Sequence, residues 1–340
     1  MKKTLIILIL VLGLIWLLLM PAVVGWYVAR AVPDWLAEIA AGEQAQFEPG
    51  WFSSTLDYSR QDADHYDLNL HTQHFPPLGL DWVQIDGQLQ TPWSAAAFDI
   101  KGELSLRGAT SLIINAPSLE IAGNVAATSG PVALRLNQAQ NQDSTIDLEL
   151  ATLTLTDALG NILLASQAAL STGWRGLEDE NLALVLDLAV DATADFGLSL
   201  NAQPVQRDAL SDLIQGLQQL ASSEDNSTAQ QFAMLTVAGA WQQLSQNGLQ
   251  ITLEGLQIGT NSQFSGGWNT AQGQPVITGQ GSLASLQTSL QPLVGLSTRQ
   301  SPDDAMTLIQ AWLEQLSTRG WLIIEGDRFE FHYPGLGDVS

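Results

Sequence analysis

The sequence predicts an α+β, mainly β protein. An N-terminal transmembrane helix leads into a curved antiparallel β-sheet, a meander packed with a few helices of the C-terminal half. Three observations carry this. An uninterrupted apolar run opens the chain, the hydrophobic period switches to two after Pro49-Gly50, and a helical period returns only in late segments.

The opening run, Leu5 to Val24, is 20 residues with no charge. At about 1.5 Å per residue it spans a hydrocarbon layer of roughly 30 Å. A secretory apolar core is shorter, about 7–15 residues, although "ARA" at 29–31 resembles a small-x-small cleavage site. Trp26 and Tyr27 fall where an aromatic belt sits, and Lys2 with Lys3 favours a cytoplasmic N-terminus. Residues 1–30 are therefore expected to form a signal-anchor, with residues 5–24 in an inner membrane. Over 31–49 the sequence predicts a short amphipathic stalk helix and a turn. Trp35, Leu36 and Ile39 share one side, and Gly42 is its stop.

From residue 50 to 340 a β-rich domain is expected. In "FDIKGELSLRG", Phe98, Ile100, Leu104 and Leu106 alternate with Asp99, Lys101, Glu103, Ser105 and Arg107, giving one dry face and one wet face. Similar alternation recurs in "YDLNL", "VQIDGQLQ", "TIDLELATLTLTD", "NLALVLDLAVD" and "LQITLEGLQIG". Two of these lose phase, between Leu150 and Leu153 and between Leu253 and Leu256. An extra residue in a period of two is a bulge, and bulges bend strands.

Helices are predicted near 208–222, 227–246 and 302–318. The first would present Leu210, Leu213, Ile214, Leu217 and Leu220 on one face. In the third, Ser301 caps, Pro302 takes the first helical position, and Asp303 and Asp304 meet the positive end of the dipole. Arg319 and Gly320 close it. A hairpin about Gly326-Asp327 follows.

Charge excludes whole classes of partner. Of the 12 cations, Lys2, Lys3 and Arg30 precede the first acid, Asp34; nine then face 35 acids, a net of −26. Such a domain is repelled by nucleic-acid phosphate and by anionic headgroups. Without cysteine there is no disulfide framework and no thiol nucleophile.

The densest ionisable group is Asp62, Asp64, His65, Asp67, His71 and His74, but its spacing forces no convergence, and a solvated strand face explains it. His332 reads as a packed or surface hairpin residue. Glu178, Asp179 and Glu180 read as a solvated turn. Neither a nucleophile elbow nor a P-loop nor a dinucleotide fingerprint occurs, so no catalytic residue, cofactor or metal ligand is assigned. Leucine placement remains. Leu182, Leu184, Leu186, Leu188 and Val190 form a stripe that is either core covered by the helices or an apolar groove for acyl chains.

At "FEPGWFSSTLDYS" the chain resembles the YdgA-like family of bacterial envelope proteins, through Gly50, Trp51, Phe52, Ser53 and Ser54. The segment "HTQHFPPLGLDWVQIDGQL" is similar to that family's His-Gly-Pro-Phe-Pro stretch, with Gln73 and His74 in place of Gly-Pro. The segment "LEGLQIGTNSQFSGGWNTAQGQPVITGQGSL" is also similar to AsmA-like periplasmic β-proteins. The resemblance implies an anchor helix followed by β-rich sequence and brings no catalytic residues. Trp51 and Phe52 would then open the first strand, one ring entering the core and the other covering 34–42.

The expectation is a single-pass inner-membrane protein with a periplasmic domain, not an enzyme, holding or passing lipid in envelope maintenance. The alternative is an acidic scaffold for an envelope protein with a basic face. A hydrolase without a recognisable motif is the third.

Overall fold

The computed structural model describes residues 44–333, apart from 51, 62–64, 75–80, 93, 95, 106–108, 124, 140–142, 160, 177–180, 193–194, 223–226 and 272. The expected anchor and the helix at 34–42 lie outside these residues. No helix among the described residues is long and apolar enough to cross a membrane. The described chain is mainly β with an open antiparallel sheet, and it divides into two compact units.

Unit 1 is built from 44–122, 128–140 and 146–150. Its strands are β1 (Gln44–Glu48), β2 (Ser53–Gln61), β3 (His65–His74), β4 (Asp81–Gln90), β5 (Phe98–Ser105) and β6 (Thr110–Ala116), each antiparallel to the next. After β7 (Leu119–Ile121) and β8 (Val125–Ser129), β9 (Val132–Gln138) pairs with β6. The register aligns Phe47, Leu56, Leu70, Gly87, Ile100, Ile114 and Leu134 into one apolar rung across seven strands. Gly87 is required there, because a Cβ would lie 2.5 Å from the Leu70 side chain. The wet face carries the matching row Asp57, Asn69, Gln88, Asp99 and Asn115, all exposed.

The strand β1 corrects one expectation. Gln44 to Phe47, assigned to the stalk helix and turn, are extended and pair with β2. Phe47 completes the apolar rung, so tertiary pairing outweighs the helical propensity of Ala and Glu nearby.

Unit 2 holds 151–333 with short pieces at 123–127 and 141–145. After β10 (Ser144–Leu150) come β11 (Leu153–Asp157), β12 (Ile162–Gly176), β13 (Asn181–Ala192) and β14 (Phe196–Gln206). They are followed by β15 (Gln250–Ile258), β16 (Ser262–Asn269), β17 (Gln274–Ser282), β18 (Leu322–Glu325) and β19 (Arg328–Tyr333). From β11 to β17 each strand pairs with the next, and β19 then pairs with both β17 and β18. The expected loss of phase near 254 is a register shift between Leu253 and Leu256. Neighbouring strands shift at Ala165/Gln167, Leu182/Leu184 and Ser199/Leu200. At 151–152 the phase change is instead a break between β10 and β11.

Two helical hairpins interrupt this meander. The first, α1 (Arg207–Ser222) and α2 (Ser227–Gln246), links β14 to β15. The second, α3 (Leu283–Thr298) and α4 (Pro302–Thr318), links β17 to β18. Fully buried Ala209 and Ala233 sit on the first pair, and Gly216 admits Val237, whose Cγ2 would lie 2.9 Å from an added Cβ. The residues that dock it are Ala209, Leu210, Leu213, Trp241 and Leu244, packed on Leu182, Leu184, Val205, Leu249 and Ile251. Ile214 and Leu217, expected on the core face of α1, are instead exposed, as are Phe232, Met234 and Leu235 of α2. Among the described residues, only the ends of this hairpin nearest the sheet pack on the strands.

The second pair was not fully expected: α3 contains Pro292, which reads as a helix breaker. Its core joins Leu286, Ile309 and Leu313 to Ile258, Leu322 and Phe329. The Ser301 cap, Pro302 and the acidic first turn of α4 are as predicted. Asn161, buried in the β11–β12 turn, donates at 2.7 Å to both the Asp157 carboxylate and the Gln300 carbonyl, fastening the C-terminal end of α3.

Candidate functional site

Strand register decides which face of unit 2 is available. Leu182 pairs with Val205, Leu184 with Ala202, Leu188 with Leu198, and Leu198 with Leu256, so these side chains share one face. Both helical hairpins pack on that face, at opposite ends of the strands. Of the leucine stripe, Leu182 is buried and Leu184 lies in the cluster beneath α1 and α2. Leu186, Leu188 and Val190 are half-buried along the middle of the face. The first part of the stripe is therefore core, not ligand surface.

A groove of about 1220 Å³ opens on the other face. Three rows of polar side chains in register cross its floor, and Leu188, Leu198, Leu256, Phe264 and Phe331 from the alternate positions also line it. Ser171, Asp187 and Ser199 cross β12, β13 and β14. Gln257, Gln263, Gln280 and Glu330 cross β15, β16, β17 and β19. Ser265, Thr278 and His332 form the third row. All line the groove, joined by Glu254 from the bulge; the rim adds Trp321 and Ile323. The indole of Trp321 is fixed by an edge contact with Tyr333, centroids 4.7 Å apart, and by the Arg319 guanidinium 5.0 Å from its ring centre. Among the lining residues there is no lysine and no arginine.

Chemically, the groove offers paired donors and acceptors. Serine and threonine hydroxyls and glutamine amides each do both, while the three carboxylates only accept. An anionic ligand meets no lysine or arginine among the lining residues, and Arg319 is the cation nearby, against the rim indole. An acyl chain would strip water from a polar floor without replacing its hydrogen bonds, which costs free energy at each group.

Of the other residues singled out by sequence, Glu178, Asp179 and Glu180 lie outside the described residues, and the rest are in unit 1. Trp51, Asp62 and Asp64 lie outside the described residues. Phe52 is 56% exposed, so it is not the ring that enters the core. Ser54 is the buried member of the motif, and β3 brings His74 to it: Ser54 Oγ lies 3.4 Å from His74 Nε2. Gly50 N donates to Ser54 Oγ, Thr72 Oγ1 donates to the Ser54 carbonyl, and His74 N donates to the Phe52 carbonyl. This lattice pins the start of β2 to the end of β3. With Ser54 at 2% exposure and His74 at 1%, the pair is buried. Asp67 and His71 lie on the opposite face of β3 from His74, so the acidic–histidine cluster is split. No group of metal-ligating side chains converges among the described residues.

The groove was missed in the sequence because each of its polar floor residues is an ordinary wet-face residue. The available signal was their shared parity, together with Trp321, which stands outside the helical period of α4. No family model, no curated protein and no solved structure matches this chain.

Proposed function

We propose that the chain is a non-enzymatic binding protein of a Gram-negative-type cell envelope. It is held to the inner membrane through residues 5–24, and unit 2 carries its ligand on the polar face of the sheet. The observation behind this is the groove itself: about 1220 Å³, floored by rows of hydrogen-bonding side chains, with both helical hairpins on the opposite face. The apolar run of residues 5–24 and the acidic composition support the envelope setting. The similarity of Gly50 to Ser54 to the YdgA-like motif points the same way.

A second reading, lipid on the leucine face, is favoured by the half-buried Leu186, Leu188 and Val190 between the two hairpins. One experiment separates them. The full chain is purified from envelopes in mild detergent and its retained small molecules are identified by native mass spectrometry. A plug in the groove, Ser265→Trp, should abolish retention, and Leu186→Trp should leave it intact. Retained phospholipid lost only in Leu186→Trp would transfer the function to the leucine face.

A further inference from the structure

On the reading that the groove is the ligand surface, we propose that its ligand is an uncharged, extended oligosaccharide lying across the strands. Four features select this class. First, the floor repeats polar groups at the strand spacing of about 4.8 Å, and the row Gln257, Gln263, Gln280, Glu330 spans four strands, roughly 14 Å. A glycan chain repeats a hydroxyl-bearing ring at a comparable step, so successive sugars meet equivalent side chains.

Second, a sugar hydroxyl donates and accepts, as do the seven serine, threonine and glutamine side chains of the floor. Asp187, Glu254 and Glu330 accept from hydroxyl pairs. Third, the rim supplies Trp321 and Ile323, apolar surface suited to the C–H face of a pyranose, and Tyr333 and Arg319 hold the indole in place. Fourth, the alternatives fit worse. Anionic polymers find no lysine or arginine. Extended peptides pair their main chain with a strand edge, whereas the groove floor is the face of a sheet whose strands already pair on both sides. The carboxylates also stand apart, on β13, β15 and β19, rather than converging on one cation.

The test uses the full chain in nanodiscs of zwitterionic lipid, titrated calorimetrically with cellotetraose, with chitotetraose and with a lysine-rich decapeptide. At least one oligosaccharide should bind. Gln263→Ala and Trp321→Ala should each weaken it about threefold to tenfold, the worth of one or two neutral contacts. Thr278→Trp should abolish it, and Phe232→Ser, on the exposed side of α2, should leave it unchanged. Circular dichroism checks that each variant is folded, and Trp321→Phe replaces Trp321→Ala if the latter is not. Groove-dependent binding of the peptide without either sugar would overturn the glycan class and leave the groove as the ligand surface. Absence of groove-dependent binding by all three probes at millimolar concentration would overturn both.

Discussion

Units 1 and 2 use the same strand pattern and cover it differently. In unit 1 the apolar rung from Phe47 to Leu134 has no helix over it among the described residues, and Leu70, Ile114 and Leu134 remain half-buried. In unit 2 two helical hairpins are inserted where tight turns would otherwise serve, and both come down on the apolar face. The polar faces differ in step. Unit 1 has a depression of about 680 Å³ lined by Gln46, Asp57, Asn69 and Gln88, and unit 2 has the larger groove with its indole rim. The difference teaches that period-two alternation fixes which face is dry but not what makes it dry. Once helices take the dry face, the wet face of a bent sheet is left for recognition.

The largest effect should come from removing the covered core. Phe329→Ala beneath α3 and α4 should cost about 3–5 kcal/mol, and Ile100→Ala in the unit 1 rung about 2 kcal/mol. Urea titration with hydrogen exchange resolved by peptide would assign each loss to its unit. Equal losses would break the comparison. Glycine substitutions sharpen it. An added Cβ at Gly279 meets the Phe264 ring, which is itself stacked on Phe329, and one at Gly87 meets Leu70. Each alanine should cost about 1–3 kcal/mol, because at Gly279 the Phe264 ring has to shift and at Gly87 the Cβ also meets the Asn69 carbonyl oxygen at 2.5 Å, so that strand backbone has to move. Thermal unfolding of both variants reads this directly.

Asn161→Ala should cost about 1–3 kcal/mol by leaving buried partners unmet. Exchange should quicken first in the last turn of α3. The smallest effect concerns Asp327, whose carboxylate is held below the ordinary range by the Ala284 amide and then by the Ser282 hydroxyl. A depressed folded value means that its contribution is fully present above the unfolded value, about 3.9. It is lost as pH falls through the folded one. Asp327→Asn should therefore lower α3 protection slightly at neutral pH and flatten its acid limb, so that variant and parent behave alike below the folded value.

Much of the architecture was legible, and the failures have physical causes. Local chemistry announced α4, because Ser301, Pro302, Asp303 and Asp304 act on their own turn. The hairpin at Gly326-Asp327 was equally local, Gly326 taking φ +64°. The bulge at Glu254-Gly255 was legible because a period of two makes any extra residue visible. Hidden elements depend on distant partners. α3 survives Pro292 because Leu286 is packed with Ile309 and Leu313 and its cap is completed from residue 327. β1 is a strand only because Ser59 to Thr55 run beside it. The leucine stripe was read correctly as a face, yet its fate depended on where α1 and α2 land. The groove needs rows from seven strands, and no single window of sequence holds more than one of them.

The contact between Asp327 and the head of α3 has a consequence for the order of assembly. Ser282 Oγ and Ala284 N both donate to a carboxylate that follows them by more than 40 positions. In a chain made from its N-terminus, β17 emerges long before β19, its partner on that side. Until then β17 is a bare sheet edge, open to pairing with other chains. The α3–α4 hairpin must be complete before β19 can close that edge, so the last hairpin acts as a latch. Synthesis with residues 319–333 delayed should therefore favour association between chains, and supply of that stretch should suppress it.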